Sequence, residues 1–213
     1  MNWKFNNIIP TTLQDFNLEN SQLWGKEIEF ISEKNYVVCS ESGKGKTTFS
    51  NFCIGVRKDY SGELMLNETL INQIDLNRWS TIRSKKVAYV PQNLQLLENH
   101  TIWENLLIKN DLTKFKSNKE IYHLLEVFGI SDIKNKKTNE TSLGQQQRTA
   151  LIRALIQPFE TILMDEPFSH LDSQNILIAT NEILKACKQQ NANFILTSLS
   201  KQTPFDNVST VQI

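Results

Sequence analysis

The sequence has little of what marks many protein classes. Among 213 residues only seven are glycine, five proline and three cysteine, and 23 Lys and Arg offset 23 Asp and Glu to a formal net charge of zero. Cys39, Cys53 and Cys187 are odd in number and far apart. They offer neither a disulfide framework nor a zinc-ligand spacing, so a reducing, cytoplasmic compartment is expected. Zero charge balance argues against nucleic-acid binding through bulk positive charge. No apolar run approaches the ~20 residues that span a bilayer. Met1 to Asn7 lacks the apolar stretch of a signal peptide. These absences exclude secreted, collagenous, disordered and integral-membrane readings.

What remains is an ordinary globular composition, 39% hydrophobic and 22% charged, on a chain long enough for one sizeable core. The short apolar runs 36–39, 161–164 and 193–197 read as buried strands. A fourth, 86–90, ends at Pro91, which cannot donate to a central ladder. Residues 208–213 suggest a last short strand. On the helical pattern 143–156, Leu143, Gln147, Ala150, Leu151, Ala154 and Leu155 share a face. On 173–188 the stripe is Ile176, Leu177, Thr180, Ile183, Leu184 and Cys187. Apolar strands alternating with amphipathic helices predict an α/β fold with a mostly parallel sheet covered on both faces. Between Gln92 and Ser142 the chain is rich in Lys and Asn, with helical patterns at 101–109 and 119–128. This reads as a helical insertion (93–140) on a core formed by 1–92 and 141–213, all one domain. Residues 130–140, with Lys134, Lys136 and Lys137, read as a solvated loop.

The strand at 36–39 runs into Ser40, Glu41, Ser42, Gly43, Lys44, Gly45, Lys46, Thr47 and Thr48, and a helical stretch from Phe49 to Val56 follows. Strand, glycine loop and helix in that order make a phosphate loop. Glycines let several N–H groups turn inward, and the helix N-terminus adds partial positive charge. Lys46 would reach the β- and γ-phosphates of a nucleotide, and the Thr47 hydroxyl would ligate Mg²⁺. Ser40 stands where the pattern opens with glycine, and a positive φ there would carry a Cβ penalty.

The strand at 161–164 leads into Asp165, Glu166 and Pro167. Ligands of open parallel sheets bind beyond that strand end, so Asp165 can face the metal and Glu166 can polarise an attacking water. Upstream, Thr141, Ser142, Leu143, Gly144 and Gln145 precede an amphipathic helix. They form either a second anion cradle or a helix capped by Ser142.

These residues together resemble the nucleotide-binding subunit of ATP-binding-cassette (ABC) transporters over nearly the whole chain. Ser40 to Thr48 is similar to the Walker A loop. Tyr89, Val90, Pro91 and Gln92 are similar to the Q-loop, and Thr101 to Leu107 to the helical segment after it. Thr141 to Gln145, continuing through Gln146, Gln147 and Arg148, resembles the signature motif. Asp165 and Glu166 resemble the Walker B acid and the catalytic glutamate, and Ser169 to Asp172 the D-loop.

The resemblance implies a P-loop NTPase core with a small antiparallel β part near the N-terminus. It implies ATP and Mg²⁺ as ligands, with Thr47, Gln92 and Asp165 at the metal, and a cytoplasmic chain held to the membrane through an integral-membrane permease. It also implies a head-to-tail pair with a second ABC ATPase subunit, in which Ser142, Gly144, Gln145 and Asp172 take part in nucleotide binding, and no nucleic-acid partner. Phe16, with Trp24 next, is the candidate for stacking on adenine; a core position is the alternative for either. Ser40 and Leu143 replace family glycines, and Ser198, after Thr197, stands at the position of the switch histidine. A degenerate module that binds ATP and hydrolyses it weakly is therefore the alternative function. An ABC ATPase of DNA repair or translation fits less well, because the insertion is short and the chain holds one such domain. A kinase would not need the segment from Thr141 to Arg148.

Overall fold

The computed structural model describes residues 1–213. In chain order its first half comprises β1 (Trp3–Pro10), β2 (Glu27–Phe30), β3 (Asn35–Cys39), α1 (Lys46–Cys53), β4 (Tyr60–Leu66), β5 (Thr69–Leu70), α2 (Leu76–Lys85) and β6 (Val87–Val90). The remainder comprises α3 (Ile102–Asp111), α4 (Asn118–Val127), α5 (Leu143–Leu155), β7 (Thr161–Asp165), α6 (Ser173–Gln190), β8 (Asn193–Ser198) and β9 (Val208–Gln212). A five-stranded sheet runs β6-β7-β8-β3-β9 and every pairing in it is parallel. A four-stranded antiparallel sheet, β2-β1-β4-β5, lies beside it. The strand that ends at Pro91 is an edge strand, where a missing N–H donor costs least.

Strand alternation divides the interior in two. Val37, Ile162, Met164, Phe194 and Leu196 face one core, with Ala150, Leu151 and Ile183 from the covering helices. Tyr36, Val38, Leu163 and Ile195 face the other, which α1 shares with the antiparallel sheet. There Phe49 stacks on Phe5 at 5.5 Å and Phe52 meets Trp24 edge-on at 6.2 Å. The insertion has no core of its own, since Ile121, Leu125 and Phe128 pack into the cluster that holds α5.

Three expectations are corrected. Leu143, Leu177 and Leu184 are exposed, not buried on the helix faces. Leu143 occupies the first turn of α5, beyond the edge of the sheet-facing surface. α6 docks through Ala179, Thr180, Ile183 and Cys187. At about 100° per residue, Leu177 and Leu184 fall roughly a quarter turn off that stripe. Residues 130–140 are only partly a solvated loop: Lys136 and Lys137 are exposed, but Ile130, Ile133 and Thr138 are buried. The Thr138 hydroxyl donates to Leu97 O at 2.9 Å and ties the segment back to the core. The helix after the phosphate loop starts at Lys46 and stops at Cys53, earlier at both ends than the pattern from Phe49 to Val56.

No helix is long and apolar enough to cross a membrane. Helix α1 leads into Gly55 at φ +65°, where an added Cβ would lie 2.1 Å from the Trp79 ring. Trp79 is 1% exposed and cannot swing into solvent. Gly55→Ala should therefore destabilise the chain by about 3 kcal/mol. In thermal unfolding that is a Tm drop on the order of 10 °C; a change below about 2 °C would mean the ring yields freely.

Candidate functional site

The C-terminal ends of β3, β6, β7 and β8 point the same way and are followed by Ser40, Pro91, Glu166 and Leu199 respectively. This is the crevice in which open parallel sheets bind ligands. Beyond β3 the chain curls with Gly43 at φ +81° and Gly45 at φ +95°. Ser40 is not among the residues with positive φ, so its Cβ carries no such penalty. Its hydroxyl donates to Glu41 O at 3.0 Å.

The backbone N–H groups of Glu41, Ser42, Gly43, Lys44 and Gly45 donate to no protein acceptor, and are therefore free for a ligand. A Cβ on Gly43 would meet nothing within 4 Å, so the loop opens outward there. A Cβ on Gly45 would lie 2.9 Å from Leu13 and 3.2 Å from Trp24, which leaves glycine as the fitting residue. The Trp24 indole is 1% exposed and donates to Lys44 O at 3.1 Å. Trp24 is thus a strut under the loop, which withdraws it as an adenine-stacking candidate. Phe16 is 49% exposed and lines the same cavity, of about 260 Å³, as Ser42, Gly43, Gly45, Lys46, Thr47, Thr48, Gln92 and Glu166. Ser40, Glu41 and Lys44 line an adjoining cavity that Phe16 also borders.

Lys46 is buried, with its ammonium donating to Ser40 O at 2.9 Å and Glu41 O at 3.0 Å. Glu166 Oε1 lies 3.4 Å away across the cavity. Glu166 itself adopts φ +49°, a left-handed conformation that costs energy in a non-glycine residue. Its N–H donates to Thr197 O at 3.3 Å and Oγ1 at 3.2 Å. The same Thr197 hydroxyl donates to Asp165 Oδ1. Nothing local in the sequence marks Thr197 for this role, because only the register pairing Asp165 with Thr197 brings them together.

Asp165 is fully buried and its second oxygen, Oδ2, has no hydrogen-bond partner. Beside this site the Thr47 hydroxyl donates to Gln92 Oε1 at 3.2 Å. Burial raises the Asp165 carboxyl above its ordinary value, and the hydrogen bond from Thr197 opposes the shift. A buried, unpartnered carboxylate oxygen next to two neutral oxygens fits a hard divalent cation such as Mg²⁺. No group of three or more His, Cys, Asp or Glu able to hold a metal occurs. Mg²⁺ commonly completes its shell with phosphates and water instead.

Other candidates lie apart from this cavity. Ser142 caps α5: its hydroxyl accepts from Gln145 N at 3.3 Å, and Gln145 Oε1 accepts from Ser142 N at 3.0 Å. Neither they nor Gly144 line the phosphate cavity of their own chain. Asp172 caps α6, accepting from Asn175 N at 2.8 Å, and that bond holds its carboxyl below the usual range. Ser198 borders a neighbouring groove with Glu166, and its Oγ accepts from Ser200 N at 3.1 Å.

A parallel sheet with a glycine phosphate loop, a lysine inside it and paired acids at the next strand end defines a P-loop ATPase. The chain belongs to the ABC transporter family, which matches residues 20–169. It is 32% identical over 179 residues to the lipoprotein-releasing system ATP-binding protein LolD of Buchnera aphidicola subsp. Acyrthosiphon pisum, spanning 81% of this chain and 78% of that one. It is 31% identical to the ABC transporter ATP-binding protein YxdL of Bacillus subtilis, spanning 82% and 68%. A bacterial ABC transporter cassette solved as a dimer superposes with a TM-score of 0.82 at 22% identity, covering 99% of this chain and 94% of that one. A post-hydrolysis cassette dimer bound to ADP and Pi gives 0.77 at 23% identity, covering 93% and 88%.

Two predictions follow from the electrostatics. The folded pKa of Asp165 lies above its unfolded value, so the charged form costs stability at neutral pH; the cost fades as pH falls through the folded value and is gone below the unfolded one. Asp165→Asn should raise the ligand-free Tm at pH 7, while Mg-ATP, which raises the wild-type Tm, should leave the variant's unmoved. Separately, Glu166→Gln removes a negative charge facing Lys46 and the incoming phosphates. Calorimetry should show ADP binding about fivefold tighter, on the order of 1 kcal/mol, and equal affinity would refute the antagonism.

Proposed function

We propose that this chain binds Mg-ATP at the phosphate loop and hydrolyses it as one half of a head-to-tail pair that drives a separate membrane permease. The observation that carries this reading is the meeting of Lys46, Glu166, Thr47 and Gln92 around one cavity, with the unpartnered Asp165 Oδ2 buried next in the chain to Glu166. The free N–H groups of 41–45 and Lys46 would bind the phosphates, and Lys46 would exchange its loop carbonyls for phosphate oxygens. Thr47, Gln92 and Asp165 would hold Mg²⁺, whose charge offsets that of the phosphate oxygens. Glu166, released from Lys46, would accept a hydrogen bond from the attacking water and orient it toward the γ-phosphate. Phe16, half exposed at the cavity, would stack on adenine.

The pairing explains why Ser142, Gly144 and Gln145 stand away from their own cavity: in a head-to-tail dimer they would close on the nucleotide of the partner subunit. Asp172 would act in that interface by holding the start of α6. The permease would dock in a groove of about 440 Å³ between the insertion and the core, lined by Val56, Leu97, Ile108 and Leu112. All four side chains are exposed, an apolar patch of the kind that marks a protein interface. Its lining also holds Arg83, Lys109 and Arg153 and no acidic residue. Such docking would place the chain at the cytoplasmic face of a membrane, and no nucleic-acid partner is invoked.

A second reading, an ATP-binding module with weak hydrolysis, is favoured by Ser198, which lacks an ionisable ring, and by Leu143, exposed in the signature segment. Steady-state phosphate release separates the two. Turnover reduced at least ~100-fold by Glu166→Gln supports the transport ATPase. A wild-type rate no higher than that of the variant supports the second reading. Ser198→His should raise the rate severalfold where the missing imidazole limits it.

A further inference from the structure

His170 lies in the turn between β7 and α6, and nothing in the proposed mechanism uses it. Its backbone packs against the first turn of α5: a Cβ on Gly144 would lie 2.9 Å from His170 O. Its ring is held at one edge only. Nδ1 is 3.0 Å from Ser169 Oγ and 3.2 Å from Oε1 of Gln147, a residue with no exposed surface. Nε2 has no protein partner, and the residue is exposed. The other histidines differ, since His123 stands on α4 beside Glu126 and His100 lies in the loop before α3.

A buried glutamine that holds an exposed imidazole by one nitrogen fixes where the other nitrogen points. The Ser169 hydroxyl can donate to Nδ1, which leaves the ring proton on Nε2. Gln147 Nε2 is at present a buried donor without an acceptor. With the amide turned over, its N–H can take the place of the Ser169 hydroxyl as the donor to Nδ1, which favours the same tautomer. The outward atom is then an N–H donor, suited to an anionic oxygen. Gly144, against which His170 sits, belongs to the segment proposed above to close on the partner subunit's nucleotide.

We propose that His170 is a phosphate-binding residue of the shared nucleotide site, donating from Nε2 to the triphosphate held in the partner subunit's loop. The assignment rests on the head-to-tail reading and adds a side chain that the signature segment alone does not supply. In the cap Ser142 Oγ and Gln145 Oε1 serve as acceptors, so the Ser142 O–H stays free to donate, and the imidazole would add a further side-chain donor beside that turn. Gln147 is a positioning residue for it.

The test uses the full chain carrying Glu166→Gln, with Mg-ATP titrated and dimer followed by sedimentation. Adding His170→Ala should raise the ATP concentration for half-maximal dimerisation about tenfold or more, as expected for a lost hydrogen bond to a charged group. His170→Asn, which keeps a donor, should recover part of it. The chain has three histidines, so in ¹⁵N-histidine spectra the resonance lost in His170→Ala is identified directly. It should shift when Mg-ATP forms the dimer. Should the Glu166→Gln protein stay monomeric at saturating Mg-ATP, the dimer reading fails and this assignment with it. Should it dimerise with the His170 resonance unmoved and the His170→Ala titration unchanged, the dimer reading stands and the assignment is overturned.

Discussion

The Thr197 hydroxyl, set between Asp165 and Glu166 at the ends of two parallel strands, is the contact on which the site depends. It donates to Asp165 Oδ1 and leaves Oδ2 without a partner. It also accepts from the Glu166 N–H, and that bond helps hold Glu166 in the left-handed conformation that turns its carboxylate toward Lys46. One side chain therefore orients both the proposed metal ligand and the proposed base. The parallel register between β7 and β8 puts it there, so the fold and the chemistry share this constraint. A one-residue slip would turn Thr197 to the opposite face of the sheet.

Around that contact the ligand-free site carries several unfavourable features at once. Asp165 is a buried carboxylate with one unpartnered oxygen, Glu166 sits in a strained conformation, and the loop offers N–H groups with no acceptor. Lys46 is tied to loop carbonyls and to the acid meant to act as base. Elsewhere in the chain such features would be pure cost. Here a phosphate chain with its metal, bound as proposed, would satisfy all but the strain together, and relief of the ligand-free state would then form part of the affinity for nucleotide. Trp24 and Gly45 make this sustainable, because the indole braces the loop and the glycine leaves room for it.

Much of this was legible in the sequence because it depends on local order. Continuous apolar runs marked the parallel strands, and strand, Gly45-Lys46-Thr47 and helix follow one another without long-range information. Asp165 and Glu166 were legible for the same reason. Thr197 was not, since its role depends on which strand neighbours which. Phe16 and Trp24 could not be separated by type, and only the hydrogen bond from the indole to Lys44 O distinguishes strut from exposed ring. Leu177 and Leu184 misled because hydrophobicity alone does not locate the centre of a helix's buried stripe. Ile130 and Ile133 were hidden just ahead of Lys134, Lys136 and Lys137, although a solvated backbone can still anchor two side chains.

The groove proposed for the permease and the metal site are joined by a short piece of chain. Gln92 faces Thr47 in the cavity, and Gln95, three residues on, lines the groove. Between them Leu94 and Gln95 are consecutive residues with positive φ, at +58° and +47°, a costly conformation for two side-chain-bearing residues in succession. It persists because the Arg153 guanidinium, buried enough to bring its pKa down to about 10, donates to both their carbonyls. Arg153 projects from α5, the helix that begins at Ser142. The strained segment thus touches Gln92 at one end, the groove at the other, and α5 through Arg153. A body seated in the groove bears on the backbone that carries Gln92, and movement of α5 bears on the same carbonyls. Communication between nucleotide and membrane partner then requires no long pathway, only that this segment have two arrangements of similar energy. Its two left-handed residues are where such a second arrangement would cost least, because leaving that conformation releases strain.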